Sequence, residues 1–106
     1  MEQSKVLRLL GLATRAGKIA FGTESVIDTI NKNKARLVLV AEDSADRTKR
    51  NIIRISEENK VPVRIYGNIE SLSKSIGKEN KAIVCIKDSN FSKEMLKVID
   101  GGEVIG

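Results

Sequence analysis

Histidine is absent from the sequence, and cysteine and proline each occur once. Without histidine, the commonest general acid–base of enzyme sites is missing. A single cysteine, Cys85, excludes an intrachain disulfide and any multi-cysteine zinc site. It lies in the apolar run Ala82-Ile83-Val84-Cys85-Ile86, where it reads as a small buried hydrophobe. The aromatic residues are Phe21, Tyr66 and Phe91, with no tryptophan. A surface that binds single strands by stacking bases on rings is therefore poorly supplied. No apolar run approaches the length that spans a bilayer. The start, Met1-Glu2-Gln3-Ser4-Lys5, lacks a signal-peptide pattern, and the apolar stretch after it is interrupted by Arg8 and Arg15. A soluble cytoplasmic protein with no membrane partner is the expectation.

What is present is basic charge, unevenly spread. Residues 1–54 hold 11 Lys/Arg against 6 Asp/Glu, and residues 55–106 hold 8 against 8. The whole net charge of +5 thus sits in the first half. Such asymmetry favours a nucleic-acid partner over a general solubility charge.

The periodicities alternate between helix and strand. Residues 4–16 place Val6, Leu9, Leu10 and Ala13 on one helical face, with Ser4 as N-cap and Gly17 as a left-handed stop. Residues 18–21 read as a short strand ending at Gly22. Thr23 is expected to cap a helix over 23–31, buried through Val26, Ile27 and Ile30. Leu37-Val38-Leu39-Val40-Ala41 is an unbroken branched run, the mark of a strand covered on both faces. Ser44 or Asp46 is expected to cap a helix over 46–59. A strand over 61–66 enters through Pro62. A short helix over 69–76 ends at Gly77, and the buried strand 82–86 follows. A last helix over 91–99 is capped by Ser89 or Asn90, and residues 101–106 form a loose tail. Residues 1–106 are expected to form one domain, a three-layer α/β/α sandwich on a four-stranded mixed sheet.

Two places suit a ligand. A helix start presents free N–H groups and partial positive charge, and α/β sheets place ligands beyond their strand ends. Gly22, Thr23, Glu24 and Ser25 make up the helix start, where the hydroxyls of Thr23 and Ser25 could meet a phosphate or a base edge. Lys18, Lys32, Lys34, Arg36, Lys49 and Arg50 lie around it in sequence, and they are expected to hold phosphates. Glu42 and Asp43 are the best carboxylates for acid–base or metal work, but neighbours on an extended strand point to opposite faces. There is no metal-ligand cluster, phosphate-binding glycine loop or nucleophile elbow. No cofactor, metal or catalytic residue is expected.

The segments Arg-Ala-Gly-Lys-Ile-Ala-Phe-Gly-Thr-Glu (15–24), Lys-Ala-Arg-Leu-Val-Leu-Val-Ala-Glu-Asp (34–43), Asn-Lys-Val-Pro-Val (59–63) and Leu72-Ser73 with Ile76-Gly77 are similar to the kink-turn-binding ribosomal protein superfamily. That superfamily includes the archaeal and eukaryotic large-subunit proteins seven-Ae and thirty-e. The Ala-Thr-Arg-Ala-Gly-Lys opening and the charged loop after Gly77 resemble its bacterial YlxQ-like branch. The resemblance implies an α/β/α sandwich that binds kink-turns, sharply bent RNA duplexes with tandem sheared G·A pairs. It implies that the helix start at Gly22 enters the widened groove to read guanines, while a second loop packs on a flipped-out nucleotide. Glu24 stands where the family has asparagine, Ser25 where it has glutamate and Asp28 where it has lysine. The second loop is Lys78-Glu79-Asn80-Lys81 rather than apolar.

The expected function is non-catalytic binding of structured RNA, kink-turn or ribosomal, by a monomer. The alternative is a ribosome-assembly or regulatory module that binds protein and has lost kink-turn reading. A nucleotide or small-molecule enzyme built on Glu42 and Asp43 ranks below both.

Overall fold

The protein is described here by a computed structural model covering residues 4–101. The tail expected over 101–106 lies outside the described residues apart from Gly101, which ends a helix. In chain order the elements are α1 (Lys5–Arg15), β1 (Ile19–Phe21), α2 (Thr23–Asn31), β2 (Leu37–Val40), α3 (Asp46–Glu58), β3 (Val63–Ile65), α4 (Ile69–Ser75), β4 (Ile83–Ile86) and α5 (Ser89–Gly101). The sheet has strand order β1-β4-β2-β3. β4 runs antiparallel to both its neighbours, while β2 and β3 run parallel, so the sheet is mixed.

The two central strands explain the three layers. All residues of β2 and β4 are buried. Alternation along a strand sends successive side chains to opposite faces. Leu37 and Leu39 with Val84 and Ile86 therefore join Val6, Leu10, Leu72 and Met95 in one core, beneath α1, α4 and α5. Val38 and Val40 with Ile83 and Cys85 join Val26, Ile30 and Ile52 in the other, beneath α2 and α3. The expected sandwich on a four-stranded mixed sheet is the one observed.

Helix ends differ in an informative way. Ser4 caps α1 by accepting from Leu7 N–H at 3.3 Å. Asn68 and Ser71 form a reciprocal capping box on α4, and Asp43 Oδ1 accepts from Ile69 N–H at 2.8 Å. Asp88 Oδ2 accepts from Phe91 N–H at 2.8 Å at the start of α5, the role expected of Ser89 or Asn90. That helix also starts earlier and ends later than the expected 91–99. The other two helices have no side-chain cap: α2 follows Gly22 rather than being capped by Thr23, and α3 follows Ala45 rather than Ser44 or Asp46. Ser44 instead donates its hydroxyl to the Ala41 carbonyl at 2.8 Å.

Candidate functional site

The starts of α2 and α3 lie at one end of the sheet, beyond the carboxyl ends of β1 and β2. Gly22 is held there by its N–H bond to the Ile83 carbonyl at 2.9 Å, and Ala41 N–H bonds the Ala82 carbonyl at 2.9 Å. Gly22 takes φ 87°, ψ 151°, a conformation that glycine alone adopts freely. This turn sets the α2 start. Thr23, Glu24 and Ser25 are exposed, and among the described residues no side chain caps the first turn.

Beside Thr23 lies an open groove of about 490 Å³, walled by Arg47, Thr48, Arg50, Asn51 and Arg54 of α3. Steps of three and four residues put Arg47, Arg50 and Arg54 on one helical face. Arg54 is steadied by Asn51 Oδ1 at 2.6 Å and by Glu58 at 3.4 Å, in an exposed pair. Arg47 and Arg50 have no ion pair among the described residues. Cations in the first turn of a helix oppose its dipole. The arrangement therefore combines unfilled N–H donors with guanidinium groups and fits an anion with several acceptor oxygens.

The other flank is the loop after α4. Lys78 N–H bonds the Ser73 carbonyl at 2.9 Å, and Ser73 Oγ meets the backbone of Lys81 on both its N–H, at 2.7 Å, and its carbonyl, at 3.1 Å. This closure sets Lys78 Nζ and Lys81 Nζ each 5.5 Å from the centroid of the Phe21 ring, next to Gly22. Stacking of this kind holds an exposed ammonium by about 0.5–1 kcal/mol and leaves its other face open to solvent.

The structure divides the residues expected to surround the α2 start. Gly22, Thr23, Glu24 and Ser25 form that start, and Arg50 faces it across the groove. Lys49 lies in the first turn of α3, at the same end, with Nζ on the Glu42 carbonyl at 2.8 Å. Lys18, Lys32, Lys34 and Arg36 are not brought there. Nine helical residues carry the chain about 13 Å from Thr23 to the far end of α2. Lys32 pairs with Asp28 at that end, Nζ to Oδ2 at 3.0 Å, and Arg36 Nη1 donates to the Asn33 carbonyl at 3.0 Å. Lys18 precedes β1 rather than opening it, also at the far end. Nearness in sequence was a poor guide because a helix is longer than a turn. Arg47, Arg54, Lys78 and Lys81 were not among the expected contacts. The helical spacing of the arginines was legible; the meeting of Phe21 with the 78–81 loop needed the tertiary fold.

Glu42 and Asp43 make no acid pair. The Glu42 carbonyl holds Lys49 and the Asp43 carboxylate caps α4. Among the described residues no group of three or more His, Cys, Asp or Glu could hold a metal.

The sequence profile of the ribosomal protein L7Ae/L30e/S12e/Gadd45 family matches residues 4–96. The chain belongs to that family. A relative called RNA-binding protein YlxQ, from Bacillus subtilis, is 35% identical over 92 residues, covering 87% of this chain and 92% of its own length. Large ribosomal subunit protein eL8 of Thermoplasma volcanium is 32% identical over 96 residues, 90% of this chain and 79% of its own. A solved structure from Bacillus halodurans, described as a protein with unknown function, superposes with TM-score 0.89 at 32% identity, covering 92% of this chain and 99% of that one. The Giardia lamblia 15.5kD RNA binding protein shares the fold, with TM-score 0.78 at 19% identity, over 95% of this chain and 92% of that one.

Within the family's fold, two of the departures read from sequence fall on the start of α2. Glu24 and Ser25 are exposed in its first turn. Asp28, a turn further along, is engaged with Lys32. That pair sets the Asp28 carboxylate toward the far end of the helix.

Proposed function

We propose that this chain binds structured RNA without catalysing a reaction on it, through the start of α2 and the cations on its two flanks. The observation that carries the reading is the groove beside Thr23. An uncapped helix start lies against three arginines on a single face of α3. Phosphate oxygens accept from the first-turn N–H groups and from Arg47 and Arg50, while the hydroxyls of Thr23 and Ser25 add sequence-tolerant contacts. Glu24 accepts from a guanine amino or imino edge in the groove. The Lys78 and Lys81 ammonium groups take the backbone on the other flank. Family membership, and relatives described as RNA-binding or ribosomal, support RNA over DNA as the polyanion. A kink-turn, whose widened groove admits a helix end, is the RNA form we assign. A ribosomal RNA is the natural source of such an element.

The test is a titration of a kink-turn RNA and a matched straight duplex at two salt concentrations, with the wild type and with R47Q/R50Q/R54Q. Each phosphate contact contributes about 0.7–0.9 log units of affinity per tenfold change in salt. The triple variant is expected to show a slope shallower by about 2 log units per tenfold change, with the kinked RNA preferred by the wild type. Equal slopes for the two proteins would remove the groove from the interface. A salt-independent affinity would remove RNA as the ligand.

A further inference from the structure

We propose that the opposite end of the sheet is a second RNA-contacting surface, so that the protein bridges two RNA segments; this rests on the RNA-binding reading above. The observation is a row of cations, one at the same end of each strand. Lys18 immediately precedes β1, Lys87 immediately follows β4, Arg36 immediately precedes β2, and Lys60 lies just before β3. Backbone hydrogen bonds fix the row. Lys87 N–H bonds the Lys18 carbonyl at 2.7 Å, Arg36 N–H bonds the Ile86 carbonyl at 2.8 Å, and Val38 N–H bonds the Pro62 carbonyl at 2.9 Å. Given the strand order β1-β4-β2-β3, the row reads Lys18, Lys87, Arg36, Lys60 across the sheet.

Two helix ends deliver chain to this row by the same closure. Asn33 and Lys60 take left-handed φ of 63° and 58°. Lys34 N–H then reaches back to the Thr29 carbonyl at 3.0 Å, and Val61 N–H to the Ser56 carbonyl at 2.8 Å. A lysine in the left-handed region is sterically less favourable than glycine or asparagine there. All four cations of the row are exposed, and none makes an ion pair among the described residues. Acids at this end are engaged elsewhere, Asp28 by Lys32, Glu58 by Arg54 in an exposed pair and Asp88 by the Phe91 N–H, leaving exposed Glu57 on the last turn of α3.

The chemistry favours RNA over an acidic protein. Neighbouring strands lie about 4.8 Å apart, so the row is a ladder of positive charge, and a nucleic-acid strand is a continuous ladder of negative charge. The buried centre of a protein–protein interface is depleted in charge and enriched in apolar and aromatic residues. The exposed large hydrophobics among the described residues are Leu12 on α1 and Ile65 on β3, neither of them in the row. The two basic ends act separately. They are about 13 Å apart along α2, more than the roughly 8 Å over which charges act in physiological salt.

The experiment uses the full chain saturated with one labelled kink-turn RNA, to which a straight RNA duplex with a second label is added. Complex stoichiometry is read by sedimentation, and K18Q/R36Q/K87Q is compared with the wild type. The wild type is expected to take both RNAs. The variant should keep the first and bind the second about 100-fold more weakly at about 0.15 M salt, from three contacts at about 0.8 log units per decade. R47Q/R50Q/R54Q should do the reverse, which keeps the test decisive if the first variant folds poorly. A wild type that saturates at one RNA, or a K18Q/R36Q/K87Q variant that still takes two, overturns the proposal and leaves the first site standing. A polyglutamate probe that binds the row while the second RNA does not overturns it in favour of an acidic protein. Failure of any RNA to bind would instead sink the RNA-binding reading itself.

Discussion

Replacing Gly22 by alanine isolates the backbone geometry on which the α2 start depends. Gly22 holds φ 87°, ψ 151°, and a Cβ built on it would meet no heavy atom within 4 Å. The penalty for Gly22→Ala is therefore conformational strain with no clash added. Such a position costs a non-glycine residue about 1–3 kcal/mol. For a domain near this size, 1 kcal/mol moves the midpoint by about 4–8 °C, so the melting temperature should fall by about 8–16 °C at mid-range. Gly11 is the internal control. It lies inside α1, and its added Cβ would sit 3.5 Å from the Ser75 carbonyl oxygen, an ordinary contact. Gly11→Ala should stabilise by about 0.5–1 kcal/mol, because glycine loses more backbone entropy in a helix. Urea and thermal unfolding of the two variants measure both. If Gly22→Ala melted within about 0.5 kcal/mol of wild type, or if both variants moved the same way, the strain argument would be wrong.

Two further outcomes follow from other parts of the fold. Arg64 Nε and Nη2 donate to the two oxygens of Asp100 at 2.7 and 2.9 Å, tying β3 to α5. The hydrogen bond from Arg64 holds the Asp100 carboxyl below its usual range, with the guanidinium charge adding to it. A depressed carboxylate contributes stability above its unfolded pKa, and loses it as pH falls through the folded value. Asp100→Asn should therefore lie below wild type in urea midpoint at pH 7 and match it near pH 2, and a gap unchanged by pH would contradict the pairing. Cys85 is fully buried, and burial pushes its thiol up. A thiol reagent should react with it in the native protein only at the rate of opening, and reaction at the rate of a free thiol would show the β4 core to be exposed.

Much of the fold was legible because the strongest signals were local. The runs 37–41 and 82–86 read as buried strands, and the structure keeps Leu37–Val40 and Ile83–Ile86 of them, with Leu39 and Val40 in different cores. The α2 boundaries followed from Gly22 before a helical period and a polar exit after Asn31. Caps were harder. Thr23 and Gly22 both suit an N-cap, and the choice depended on the turn that pairs Gly22 with Ile83 in β4. Asp88 could not be preferred to Ser89 or Asn90 without the end of β4 being known. At the candidate site, sequence placed the helix start, Lys49 and Arg50, but misplaced Lys18, Lys32, Lys34 and Arg36. Lys32, Lys34 and Arg36 are close to Thr23 in number and a helix length away in space. Arg47, Arg50 and Arg54 are distant in number, yet α2 and α3 pack side by side on the same face of the sheet. Lys78 and Lys81 reach Phe21 only because β4 pairs with β1.

The most direct test of the RNA interface is the amide spectrum of the isotopically labelled protein with one equivalent of a short kink-turn RNA. The amides of Thr23, Glu24 and Ser25, which no side chain among the described residues caps, are expected to shift most, together with the side chains of Arg47 and Arg50. Shifts confined to the open groove that Arg8, Arg15, Glu70 and Lys74 line between α1 and α4, with the start of α2 unmoved, would contradict it.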